Sequence, residues 1–145
     1  MKNKNDLKLV VVALIQNEQG EILFQKRSDT EFPAEDGRWE LPGGGVEEGE
    51  IFEEALRREC REEIGVDVEI GKELPWVSET SHLNKDGKEI RFAVHCFVCL
   101  IKSGEVKPSN EEVAEIKWLK YSDIAGLRVP ENNRKFVELF IASAK

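Results

Sequence analysis

The sequence predicts an α+β domain in which a mixed β-sheet lies between helices, and three observations carry this. Apolar runs of strand length open the chain and recur as far as Leu119. One long stretch without Pro or Gly, Glu50 to Ile64, interrupts them, and a second helical pattern closes the chain. Strands on both sides of an inner helix, with another helix at the end, bury their apolar sides best as stacked layers. With 145 residues and 40% apolar content, a single domain over residues 1–145 is expected.

Taken in order, Leu7 to Ile15 carries Val10, Val11, Val12 and Leu14, a near-continuous run typical of a strand covered on both faces. Asn17 to Gly20 reads as a turn, and Glu21 to Lys26 as a second strand returning to make a hairpin. Ser28 to Arg38 is a polar loop with Pro33 and Gly37. Helix formers dominate Glu50 to Ile64, and Gly65 sits where a left-handed cap belongs. Val66 to Ile70 alternates like a strand; Leu74 to Thr80 follows, with Pro75 at a bulge or edge. Asn84 to Gly87 is a hairpin turn leading into Glu89 to Ile101, the longest strand and the expected centre of the sheet. After a loop from Lys102 to Glu111, Ala114 to Leu119 forms a strand and Asp123 caps a short turn. Pro130-Glu131 opens a helix to about Ser143, with Phe136, Leu139, Phe140 and Ala142 as its apolar side.

Chemistry concentrates on the inner helix and the glycines before it. At about 100° per residue, Glu59, Glu62 and Glu63 fall within an arc of about 100°. Phe52, Leu56, Cys60 and Ile64 form an apolar stripe whose edge overlaps that arc, so Glu63 is pressed toward the core side. Arg58 is one turn from Glu54 and Glu62 and can hold a carboxylate, whereas Glu59 and Glu63 lack a basic partner at i±4. Carboxylates crowded near low-dielectric surface call for a cation, and oxygen ligands on one rigid face suit a hard divalent ion. The wheel alone is also consistent with a solvated acidic face.

The spacing decides between them. Gly44, Glu50 after five intervening residues, Arg58-Glu59 after seven more, Cys60, Arg61, Glu62-Glu63, Ile64, Gly65 and Val66 resemble the signature of the Nudix hydrolases at every position. The resemblance implies an α/β/α sandwich and a loop-helix-loop that binds Mg2+ or Mn2+ and cleaves a pyrophosphate bond in a nucleoside diphosphate derivative. It makes Glu59 and Glu63 metal ligands, Glu62 a further ligand or the base that activates water, the Gly43 carbonyl another contact, and Arg58 the orienting partner. The substrate it favours is a nucleoside or deoxynucleoside triphosphate, giving NMP and pyrophosphate. ADP-ribose or another sugar-nucleotide, a dinucleotide or capped RNA is the alternative. A non-catalytic nucleotide sensor is the third reading, against which the intact carboxylates speak.

Outside the signature, the resemblance suggests a phosphate contact for Arg27, though a strand-end surface arginine reads the same way. Trp39 packs near the entry to the helix or stacks on a base. Glu111 or Glu112 adds a ligand or base, or is solvated. Asn132 or Asn133 contacts a base edge or caps the last helix. Specificity is expected in the loops Ser28 to Arg38, Glu79 to Lys88 and Lys102 to Glu111.

Composition excludes several classes. The formal charge is −8, and residues 47–63 hold eight acids against three arginines. Such a chain is a poor non-specific nucleic-acid binder; its expected partner is a small nucleotide, as monomer or homodimer. Met1 to Lys8 is charged and no long apolar run follows, so neither a signal peptide nor a membrane span is expected, and the cytoplasm is the expected location. Cys60, Cys96 and Cys99 read as reduced core residues, because Cys96 and Cys99, three apart on a strand, face opposite ways. His82 and His95 have no neighbouring Ser or Cys nucleophile arranged with a base, which argues against a covalent triad.

Overall fold

The structure, a computed structural model, describes residues 7–143. The first six residues of the charged amino-terminal stretch therefore lie outside the described residues. Eight strands form two sheets. In the larger, β1 (Leu7–Ile15) runs antiparallel to β4 (Gly43–Gly45) and parallel to β7 (Glu89–Gly104), which also pairs with β5 (Val66–Glu73) and β6 (Ser78–Leu83). In the smaller, β2 (Ile22–Arg27) lies between β3 (Trp39–Glu40) and β8 (Val113–Leu119). The long β7 is central, as its unbroken apolar pattern requires.

The expected hairpin of the first two strands does not form. The turn at Asn17 is present, closed by Glu21 N–H and Gln19 N–H donating to Asn17 Oδ1 at 2.9 and 3.0 Å. Beyond the single bridge Gln16 to Ile22, however, β1 and β2 part into different sheets. The reason lies in their apolar pattern: both strands are buried on both faces, and α1 (Phe52–Ile64) packs against both. Val11, Ala13, Ile15, Leu23, Phe97 and Cys99 meet Ala55, Leu56, Cys60 and Ile64 of α1. Val12, Leu14, Ile22, Phe24, Val94 and Cys96 meet Phe136 and Val137 of α3 (Glu131–Ser143) on the other side. Each fully buried Leu or Ile contributes roughly 1.5–3 kcal/mol, so a one-residue slip of β1, which would exchange the two sets, is strongly opposed.

All three cysteines are free and buried, with Cys96 and Cys99 in different cores. Helix α1 starts at Phe52, two residues later than its composition suggests, because Glu50 is used in the preceding turn, where its carboxylate accepts from Glu47 N–H at 2.8 Å. It ends at Gly65, whose φ of 74° is the left-handed cap. A short helix α2 (Tyr121–Ile124) begins with Asp123 accepting from Lys120 N–H at 2.9 Å. No described helix is long and apolar enough to cross a membrane.

Candidate active site

A cavity of about 1030 Å³ opens where β4 and α1 face the polar loop and the start of α3. Gly43, Gly44, Gly45, Glu59, Glu63 and Glu112 line one end of it. Glu63 is 6% exposed, at the edge of the apolar side of α1 where the helical wheel puts it. Its Oε1 accepts from Gln25 Nε2 at 2.9 Å and from Gly43 N–H at 3.0 Å. Burial, then the charge of Glu59, pushes its carboxyl up to about 8 against the pull of those two donors.

Glu59 lies beside it. Burial raises its carboxyl, Arg58 lowers it, and the charges of Glu62 and Glu112 raise it further. Gly44 is the counterpart of this carboxylate: a Cβ there would stand 2.4 Å from Glu59 Oε2. At Gly43 a Cβ would stand 2.0 Å from the Val11 carbonyl oxygen, so β4 approaches β1 more closely than any side chain permits.

Arg58 ties the loop to the helix. It forks onto Glu50 at 2.8 and 2.9 Å, donates to the Gly45 carbonyl at 2.9 Å, and reaches Glu62 at 3.0 Å and Glu59 at 3.2 Å. The hydrogen bonds from Arg58 hold the Glu50 carboxyl down to about 2. The helical wheel offered Glu54 as a partner; Glu54 instead accepts from Ile51 N–H at 3.2 Å, at the helix start. Glu62 is 47% exposed on its side chain, pairs with Arg58, and stands outside the cavity lining.

Glu112, rather than Glu111, lines the cavity, and its charge is felt by both Glu59 and Glu63. Arg27 lines it too, donating to Asp29 at 2.6 Å and to Glu40 at 3.2 Å. Trp39 is placed elsewhere: it is 6% exposed in the core, outside the lining, with Lys117 Nζ 5.1 Å from its ring centroid. Asn133 borders the cavity, but its amide is engaged in the scaffold, accepting from Leu41 N–H at 2.8 Å and donating to Asn132 at 2.7 Å. It fixes the strand that leads into the glycines.

Gln25, Glu35, Glu40 and His82 were not singled out from the sequence, yet all line the cavity. A polar residue directly after Ile22-Leu23-Phe24 is the one signal that pointed to Gln25. Gln25 Oε1 is buried and has no partner among the described residues.

The donor set fits a hard cation. Two carboxyls raised by burial and by neighbouring carboxylates lack matching positive charge, and a bound divalent ion would reverse that balance. Among the described residues no three His, Cys, Asp or Glu side chains converge as a ready cage. Glu59 and Glu63 do line the cavity, and a hard divalent ion can take one or two carboxylates and complete its shell with water and substrate phosphates.

Comparison with known proteins identifies the family. The NUDIX domain profile matches residues 6–140. Nucleoside triphosphatase NudI of Escherichia coli O139:H28 is 38% identical over 136 residues, covering 90% of this chain and 94% of the relative. The crystal structure of the MutT protein from Methanosarcina mazei Go1 superposes with a TM-score of 0.82 at 28% identity, covering 99% of each chain. An ADP-ribose pyrophosphatase from Streptococcus suis shares the fold, with a TM-score of 0.68 at 22% identity, covering 97% of this chain and 93% of that one. Divalent ions generally serve this family. With Glu59 and Glu63 of the signature at the cavity and the profile spanning nearly the whole chain, the protein belongs to the NUDIX domain family and is a Nudix pyrophosphohydrolase.

Proposed function

We propose that this protein hydrolyses a nucleoside or deoxynucleoside triphosphate to NMP and pyrophosphate in a reaction that depends on Mg2+ or Mn2+. The observation that carries this is the charge deficit at one end of the cavity, where Glu59, Glu63 and Glu112 face space large enough for a nucleotide. The similarity to a nucleoside triphosphatase supports the substrate class.

Glu59 and Glu63, with the Gly43 carbonyl and Glu62, would hold the ion. Bound there, it neutralises phosphate charge and acts as a Lewis acid on the pyrophosphate. The chain's own residues do the rest. Gln25 and the Gly43 N–H fix Glu63 through one oxygen, leaving the other free for the site. Arg58 holds Glu59 and Glu62 in register with the loop. Water adds to phosphorus beside the α,β bridge, that P–O bond breaks, and the water's proton passes to a carboxylate, for which Glu112, in the cavity lining, and Glu62 of the signature are the candidates. Arg27 lines the substrate space at the cavity wall, tied to Asp29 and Glu40. Trp39 and Asn133 act as scaffold. The described residues work as one domain, and three free thiols fit the reducing cytoplasm.

The test is incubation with Mg2+ or Mn2+ and a panel of nucleoside triphosphates, deoxynucleoside triphosphates and ADP-ribose. NMP and pyrophosphate from triphosphates are expected. Ribose phosphate from ADP-ribose, with triphosphates intact, would overturn the substrate. No product from any compound would overturn the reaction.

A further inference from the structure

The cavity extends well past the carboxylates. Its floor is the sheet, and the register shows how. Gly45, Val10, Val94 and Ser78 form one row across β4, β1, β7 and β6; Lys8, Phe92 and Thr80 form the next on the same face, with His82 two residues further along β6. Three inter-strand steps, on the order of 14 Å, separate the glycines from β6. Over this floor sits the polar loop: Phe32 meets Phe92 edge-on at 5.7 Å, and the 3-10 turn Pro33–Glu35 brings Glu35 against His82.

Here almost every charge is already matched. Arg27 pairs with Asp29 and Glu40. Glu35, with a side chain 4% exposed, receives Arg38 Nη1 at 2.9 Å on one oxygen and His82 Nδ1 at 3.0 Å on the other. Burial would raise the Glu35 carboxyl, but His82 and the arginines bring it below its ordinary value, so it stays an acceptor. That assigns the ring proton to Nδ1. In the neutral ring Nε2 is then a lone-pair acceptor, and it has no partner among the described residues. The rings of His82 and Phe92 lie 5.7 Å apart. A phosphate would meet the carboxylates of Asp29, Glu35 and Glu40 here. A flat heteroaromatic group with an N–H at its edge meets two phenyl rings and one waiting acceptor.

We propose that this end of the cavity receives the nucleobase, that His82 Nε2 accepts a hydrogen bond from a base N–H, and that Glu35 is the positioning residue holding the ring. The assignment rests on the nucleotide reading above and adds which residue reads the base.

Two measurements test it. The first is the ratio of kcat/KM for each nucleoside triphosphate to that for ribose 5-triphosphate, which lacks a base. His82→Leu should lower the ratio about 10-fold for the preferred base, and His82→Gln, whose amide oxygen restores an acceptor, should recover part of it. A ratio unchanged in His82→Leu overturns the proposal, since a merely structural histidine would lower both substrates alike. The second is independent of turnover: titration of the wild type with nucleoside monophosphates, followed on the imidazole nitrogens. His82 and His95 are the chain's two histidines, and His95, against Phe52 and Glu73, is an internal reference outside the cavity lining. A selective shift of His82 Nε2 is expected. Should no triphosphate be hydrolysed, only the reaction falls, and this titration decides the subsite: resonances of His82 unmoved by every monophosphate would sink it.

Discussion

The two ends of the cavity are built from the same residue types with opposite accounting of charge. At the glycine end, Glu59, Glu63 and Glu112 crowd together, and Arg58, which reaches Glu59, is spent mostly on Glu50 and the Gly45 carbonyl. At the loop end, Arg27 offsets Asp29 and Glu40, while Arg38 offsets Glu35, which also accepts from His82 Nδ1. A site left short of positive charge is destabilised until something supplies it; a site with its charges matched is rigid and discriminates by shape and by single hydrogen bonds. The first is built for chemistry on an anion with a cation's help, the second for holding a neutral group.

This difference is sharpest in stability against pH without metal. The Glu63 carboxyl is raised from 4.5 to about 8, so the folded state holds its proton more tightly than the unfolded chain. Stability from this group is full below 4.5 and is lost as pH rises to about 8, by at most about 5 kcal/mol. Thermal melts of chelated protein from pH 5 to pH 9 should show this decline, and saturating Mg2+ should flatten it. A metal-free stability that rises over that window would contradict the assignment.

Glu63→Gln separates activity from stability. The amide keeps the contacts to Gln25 and Gly43 through its oxygen but removes the charge, so turnover should fall on the order of 10²-fold. The same variant should hold its melting temperature between about pH 5 and pH 8, where the metal-free wild type weakens. At the loop end the sign reverses. Arg27→Met strands Glu40, whose carboxyl is already raised by burial, and should lower stability by about 2 kcal/mol in denaturant melts, an amount reduced by partial solvent screening. Equal stability losses at both ends would erase the distinction.

The glycine end was legible in the sequence because its residues lie close together along the chain. Gly44 and Glu59 meet through one loop and two helical turns, and the wheel pressed Glu63 toward the core before any tertiary contact was known. At the loop end the sequence pointed to the segments Ser28 to Arg38 and Glu79 to Lys88 but not to the contact between them, since Glu35 and His82 are 47 positions apart and meet only because β6 pairs with β7 beneath the polar loop. The same limit explains the first two strands: an apolar run tells that both faces are buried, not which sheet each strand joins. Trp39 and Asn133 show the converse. Both residue types suit base recognition, and burial in the one case and the bond to Leu41 N–H in the other commit them to the scaffold.

The smallest predicted effect concerns the residue on which sequence and geometry differ in emphasis. The signature gives Glu62 the same rank as Glu59 and Glu63, yet its side chain is 47% exposed, bound to Arg58, and apart from the cavity lining. An exposed ion pair is worth less than about 1 kcal/mol, so Glu62→Gln should leave stability nearly unchanged. If Glu62 serves as an outer ligand, turnover should drop about 10-fold, with the loss shrinking at high Mg2+. If it is the base, the loss should reach the 10²-fold range of Glu63→Gln and persist at any metal concentration. Turnover of Glu62→Gln against Mg2+ concentration therefore distinguishes the roles, and the exposure of Glu62 and its bond to Arg58 favour the smaller, metal-sensitive loss.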